Sequence, residues 1–563
     1  MDATPQKQGG HTVWAAVGVA AVVVIAFLFV TTRSTLWDAD EARFSRATVE
    51  MVQSGNYLYP TFNDKLRPDK PILIYWLMSL PVRLLGPTEL ACRFFAPIGA
   101  AATCLLIWLV GCRLFSRKAA LLAMLMLAST PIMLVVGTAA TTDAILLACI
   151  WTAITAFVLS MADGVKVWHI ALMTLALTAA LLTKGPVGWV IPLLAIVTTL
   201  LIGMRGAVPL GRKYVPWLAV AFVVGFGLAL IWAIPANDAT HGEFYRRGIG
   251  FHVIERSQQP LQHHGGNFLL YLLFYPLAIL VGFLPWTMFL PGMVSALCGG
   301  RLGGRMGRAF LLGATLPTLV MMTIVQTKLP HYILPIWPAL ALGTAATMDA
   351  AQRNALTPRD LRWLRRGVWF FGPLMILFAL GLALAPLILP VPGLAAPCLI
   401  TAAIICVMAC IAIRQHLFGT LRSAVIALLV AMAVIEGALV LGVLPVVEKA
   451  KVIPAIARQV TPRLSKDTPV FACDVGRATL NFYIGRHITY LKSDEVVSWA
   501  RGSGDGVLII NERDLRRIEE KNKGLDLVAI ARASGYDYSR AKWLELVAVA
   551  RAAAASPEIT GRR

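Results

Sequence analysis

Charge is scarce in this chain. Of its 563 residues only 14% are Asp, Glu, Lys or Arg, 58% are hydrophobic, and the mean hydropathy is +0.71. A soluble protein of this length needs far more polar surface, so lipid must be the solvent for most of it. Acids are the scarcer sign, with 30 Asp and Glu against 51 Lys and Arg, a net charge of +21. That excess does not point to nucleic acid. Many of the basic residues sit in short loops between apolar runs, where membrane orientation and anionic headgroups account for them. Phosphate-cradling loops of the GxGxxG or GxxxxGK[ST] kind are missing, so no nucleotide cofactor is expected. The nine cysteines form neither a disulfide framework nor a CxxC metal pair, and most lie in apolar runs.

What the chain has instead is long apolar runs. Thirteen are read as spans, near residues 12–30, 94–112, 119–136, 144–161, 168–182, 187–203, 215–235, 268–291, 309–325, 332–348, 368–389, 394–413 and 423–447. Most approach the length needed to cross about 30 Å of hydrocarbon. The first lacks a small-x-small cleavage site and is kept as a span rather than a signal peptide. The run 71–82 is too short to cross, and an interfacial or re-entrant helix is expected there. The expected architecture is therefore an α-helical polytopic membrane domain over 1–447, followed by a small soluble α/β domain over 448–563. In that tail, strands are expected near 470–472 and 507–510, and a helix near 541–555.

Alternate loops hold the basic clusters: Arg113, Arg117 and Lys118; Arg301, Arg305 and Arg308; Arg359, Arg362, Arg365 and Arg366. By the positive-inside rule these loops and the N-terminus are cytoplasmic, which puts the tail in the periplasm of a bacterial inner membrane. The opposite loops then collect the chemistry. They carry Trp37-Asp38-Ala39-Asp40-Glu41-Ala42-Arg43, Arg67-Pro68-Asp69-Lys70-Pro71, Asp143, Thr183-Lys184-Gly185-Pro186, and a loop with His252, Glu255, Arg256, His263 and His264. The last is Gln326-Thr327-Lys328-Leu329-Pro330-His331-Tyr332. Individually these have plain readings: Asp40-Glu41 as helix-capping acids, Thr183–Pro186 as a helix stop and restart, His263-His264 as ordinary loop. Together on one face they suit surface chemistry on a lipid-borne phosphate.

At these residues the chain resembles the bacterial aminoarabinose transferases that modify lipid A, within the broader polyprenyl-phosphate-dependent group that includes protein O-mannosyltransferases. The resemblance rests on W-x-x-D-E-x-R-F from Trp37, on Asp69-Lys70-Pro71 with Tyr75-Trp76, on Thr183-Lys184-Gly185, and on Lys328-Leu329-Pro330-x-Tyr332. It implies the type-C glycosyltransferase fold. It also implies Asp40 as catalytic carboxylate, with Asp143 and Glu41 as further acids of the site. Lys70, Arg256, Lys328, Tyr332 and Lys184 are the expected contacts of the donor phosphate, and Asp69 and His252 the candidate ligands of a divalent metal. Two departures stand out: an Asp at 69 where the family usually has Glu, and one extra residue between His252 and Arg256.

The chemistry is consistent with that set. Breaking an anomeric C–O bond of a sugar on a polyprenyl phosphate leaves a phosphate monoester, whose added negative charge needs cations or hydrogen-bond donors. The acceptor hydroxyl needs a base, and a single displacement inverts the anomeric centre. The expected partners are a polyprenyl-phosphate-linked sugar, lipid A, lipopolysaccharide or another envelope acceptor, and the surrounding lipids. A protein O-mannosyltransferase-like enzyme is the alternative within the class. A membrane transporter is the alternative outside it, although transporters place their ionisable groups near mid-membrane rather than at span ends.

Overall fold

The computed structural model describes residues 6–37, 39–204, 210–248, 268–465, 467–503 and 505–551. Among these, eleven helices are long and apolar enough to cross a membrane, and two bent pairs bring the number to 13. The chain is a multi-pass membrane protein. The bent pairs correct two spans expected to be continuous. Arg117–Ala128 and Pro131–Gly137 meet at 67°, and Leu272–Gly282 and Trp286–Cys298 at 113°. A proline starts or precedes the second half of each, and proline cannot donate the N–H that would continue the first half.

The membrane core is one cluster built from nearly all spans, with Trp151, Trp286 and Trp337 among its fully buried side chains. Connections on the basic face are short. On the other face the chain leaves the first span (Gly10–Thr31) and forms helix α1 (Asp40–Ser54), the hairpin β1 (Thr61–Phe62) with β2 (Lys65–Leu66), and helix α2 (Leu73–Leu85). With 13 residues, α2 is the short apolar helix expected over 71–82. The hairpin is pinned to α1 by Glu50, whose carboxylate accepts from Thr61 Oγ1 at 2.9 Å and Asn63 N at 2.8 Å while paired with Arg46 at 2.8 Å.

After the last span (Leu421–Lys449) the chain builds a five-stranded sheet in the order β4-β3-β5-β7-β6. Here β3 is Val470–Cys473, β4 Ile488–Leu491, β5 Val507–Asn511, β6 Leu527–Asp537 and β7 Lys542–Arg551. The expected strands become β3 and β5, which pair in parallel. The helix expected near 541–555 is instead β7, paired antiparallel with both β5 and β6. Its alanines suggested a helix, yet Leu544, Leu546, Ala548 and Ala550 enter one face's core and Val547 and Val549 the other. A strand flanked on both sides and covered on both faces reads as an apolar run, and periodicity then gives little guidance. The domain rests on α1 through Ala478 and Phe482 of helix Arg477–Ile484, which join the cluster formed by α1 and α2.

Candidate active site

The fourth and fifth spans, Asp143–Asp163 and Val167–Lys184, form an antiparallel hairpin with a three-residue turn. The first residue of one therefore stands beside the last residue of the other. Lys184 Nζ reaches Asp143 Oδ1 at 2.6 Å, the side chains being 16% and 13% exposed. Both ends of the pair suit the helix dipoles, an acid at an N-terminus and a cation at a C-terminus. Gly185, at φ +67°, then lets the chain turn directly into Pro186 and the sixth span. Thr141 Oγ1 donates to Asp143 Oδ2 at 3.1 Å.

The 3₁₀ segment Pro330–Ile336 brings His331 and Tyr332 to the same place, with Lys184 Nζ 5.6 Å from the Tyr332 ring centroid. His331 is within electrostatic reach of Asp143, Lys184, Asp40 and Lys70. The segment between β2 and α2 supplies Asp69 and Lys70. It is anchored by buried Arg67, which donates to Tyr75 Oη at 3.0 Å, lies 3.5 Å from Asp69 and stacks over Phe44. Burial pushes the Tyr75 phenol above its ordinary value, with Arg67 opposing, so it stays protonated.

These groups share the wall of one cavity of about 360 Å³: Asp69, Lys70, Asp143, Lys184, His331 and Tyr332. The rest of its wall is largely apolar, with Leu146, Leu147, Leu181, Phe226, Leu230 and Met322 reaching in from the spans. Charged groups at span ends combined with apolar side chains from span interiors make a site for a molecule with a charged head and a hydrocarbon body. His331 and Arg67 stand in the loops collected from sequence but are given no role there.

Three expected residues lie elsewhere. Asp40, the first residue of α1, is 74% exposed and outside the cavity wall, 3.8 Å from Arg43 and within electrostatic reach of Arg67, Tyr75 and His331. Glu41 points the other way and is buried. Arg93 Nε and Nη2 reach its two oxygens at 2.8 and 2.7 Å, and the N–H groups of Trp37 and Ala140 donate at 2.8 and 2.6 Å. Burial alone would raise its carboxyl, but the Arg93 charge and these hydrogen bonds hold it below the usual carboxylate range. Lys328, expected on the donor phosphate, turns back onto its own helix end. Its Nζ donates to the carbonyls of Met322 (2.8 Å), Thr323 and Val325, covering the unpaired carbonyls where Gly304–Ile324 stops. Arg256 and His252 lie outside the described residues, as do Glu255, His263 and His264.

The described part of the candidate metal set is Asp69 alone, beside Arg67. Among the described residues no three His, Cys, Asp or Glu side chains group to hold a metal ion. The donors among the described residues do not by themselves make a metal site, and no step is assigned to one.

The C-terminal domain reaches this face as well. Tyr483 Oη accepts the Leu36 N–H at 2.7 Å and donates to Glu89 at 2.9 Å. Lys451 Nζ sits 3.5 Å from the Trp37 ring centroid, and Tyr538 meets the same ring edge-on. The segment leading to Asp40 is thus gripped from two sides.

The fold, a multi-pass membrane bundle with a small C-terminal sheet domain, is ArnT-like. The chain superposes on the crystal structure of ArnT from Cupriavidus metallidurans bound to undecaprenyl phosphate with a TM-score of 0.76 and 19% identity, covering 96% of this chain and 99% of that one. The apo form of the same protein gives 0.75 over 97% and 100%. In sequence the chain is similar to the undecaprenyl phosphate-alpha-4-amino-4-deoxy-L-arabinose arabinosyl transferases of Enterobacter sp. (strain 638), 26% identical over 62% of each chain, and of Edwardsiella ictaluri, 28% identical over 57% of each. The similarity thus spans about three-fifths of those relatives. Residues 69–232 match the family model described as dolichyl-phosphate-mannose-protein mannosyltransferase.

Proposed function

We propose that this chain is an inner-membrane glycosyltransferase that moves a sugar from a polyprenyl-phosphate donor to lipid A, lipopolysaccharide or another envelope acceptor on the periplasmic face. The observation that carries the proposal is the cavity that joins Lys70, Lys184, Asp143 and Tyr332 to an apolar wall. Supporting it are the fold shared with a protein crystallised with undecaprenyl phosphate and the names of the curated relatives.

In this reading the isoprenoid lies along the apolar wall and the phosphate faces Lys70, with Lys184 and Tyr332 beside it. As the anomeric C–O bond breaks, the bonding pair goes to the phosphate oxygen, and these fixed cations and the phenol O–H stabilise the growing charge. Asp143 holds Lys184 in place and offsets part of its field. Asp40, exposed beside the cavity, takes the proton of the attacking acceptor hydroxyl, and inversion follows from the single displacement. Glu41 and Lys328 act as positioning groups: the first fixes the segment that ends at Asp40, and the second seals the helix end before His331 and Tyr332. A second acceptor class, protein, is favoured only by the family match over 69–232.

The test is one purified preparation offered a polyprenyl-phosphate-linked sugar and, separately, the nucleotide-activated form, with lipid A and peptide as acceptors. Transfer from the lipid-linked donor alone is expected, with lipid A labelled in preference to peptide. Transfer from the nucleotide donor without a lipid carrier would overturn the proposal.

A further inference from the structure

A second cavity, of about 700 Å³, lies where the first and last spans end and the C-terminal domain begins. No residue lines both cavities. Arg33, just beyond the first span, Lys449, the last residue of the last span, and Arg458 of helix Val452–Val460 all line it. Its two acids are already engaged. Glu448 accepts from Thr35 N at 2.9 Å and Thr35 Oγ1 at 2.6 Å and pairs with Lys451 at 2.7 Å, and Glu89 accepts from Tyr483. The three cations are exposed, and none is ion-paired with a carboxylate among the described residues.

Glu448 is balanced by Lys451, so three cations without a carboxylate partner face the single carboxylate of Glu89, and that balance favours an anion. Depth indicates which anion. Thr31 and Lys449 close their spans at its wall, the level at which hydrocarbon gives way to phosphate headgroups. We propose that this cavity binds the phosphate headgroup of an anionic membrane lipid. The site adjoins the catalytic segment. Arg93, the partner of Glu41, also donates to the carbonyls of Thr31, Ser34 and Thr35, so a headgroup held by Arg33 bears on the stretch that ends at Asp40. Binding here does not require the sugar-transfer reading to be right.

The full chain in detergent is titrated with phosphatidylglycerol, with phosphatidylcholine and with inorganic phosphate, and binding is read from retained adducts in native mass spectrometry and from the shift in unfolding temperature. Saturable binding of phosphatidylglycerol is expected, stronger than that of the other two. Substituting Arg33→Ala, Lys449→Ala and Arg458→Ala should weaken it roughly fivefold per cation and about a hundredfold together. The charge-preserving set Arg33→Lys, Lys449→Arg and Arg458→Lys should keep it, which separates loss of the site from loss of the fold. Unchanged lipid affinity in the triple alanine variant would overturn the proposal. Equal binding of phosphatidylcholine, or saturation by inorganic phosphate as tight as by lipid, would overturn the assignment to an anionic lipid.

Discussion

Two ion pairs on the loop-bearing face invite comparison. Asp143–Lys184 and Glu41–Arg93 have the same chemistry and nearly the same separation, 2.6 and 2.7 Å. They differ in how complete they are. Glu41 has four donors on its two oxygens, and Arg93 is 1% exposed and spread over three backbone carbonyls as well. Nothing there is left for a substrate. Asp143 and Lys184 keep part of their surface on a cavity beside Lys70, His331 and Tyr332. A closed pair fixes backbone, whereas an incompletely enclosed pair beside a hydrocarbon-lined cavity can exchange one partner for a phosphate.

The sharpest break between the two neighbourhoods is expected at adjacent residues 40 and 41. Asp40→Asn should lower turnover by about 10²–10⁴. Its unfolding temperature should barely move, because the exposed contact to Arg43 contributes about 0–1 kcal/mol. Turnover close to that of the native chain would remove Asp40 from the role of base. Next in size is the closed pair. Arg93→Met leaves the Glu41 carboxylate buried without its counter-ion and should destabilise the protein by about 3–5 kcal/mol, measured by denaturation in detergent. Adding Glu41→Gln should recover part of the loss. A stable Arg93→Met protein would mean that Glu41 is not the anchor described here.

The smallest effect is a pH dependence. Glu41's folded carboxyl lies below the ordinary value of 4.5, so its contribution to stability is fully present above about that value and is lost as pH falls through the lower folded value. Unfolding temperatures should therefore fall below about pH 4.5, and less steeply in Glu41→Gln. Identical acid limbs for the two proteins would contradict the linkage.

Much of this layout was legible in the sequence, for identifiable reasons. Span positions follow from hydropathy alone, and the pairing of Asp143 with Lys184 is implied by two adjacent spans with a short turn, since a hairpin sets its first and last residues side by side. The bends at Pro131 and Pro285 were signalled by proline but masked by unbroken hydropathy. Lys328 is expected on the donor phosphate because it stands near Pro330 and Tyr332, whereas its distance from the helix end at Ile324 is also that of a capping side chain, the place where the structure sets its Nζ. The Glu41–Arg93 clamp joins residues 52 apart in the chain, and no local pattern reports it. His331 occupies the variable position of a motif, so only the cavity shows its proximity to Asp143 and Lys184.

The central claim is that donor phosphate binds at the cavity lysines and not at the lysine that seals the helix end. The direct measurement is the affinity of purified protein for polyprenyl phosphate in the native chain, in Lys70→Ala and in Lys328→Met. Loss of one charge-assisted contact of about 1.5–3 kcal/mol should weaken binding by Lys70→Ala roughly ten- to hundredfold. Lys328→Met should lower the unfolding temperature while the folded fraction binds like the native chain. Native-like affinity in Lys70→Ala with lost affinity in folded Lys328→Met would contradict the account.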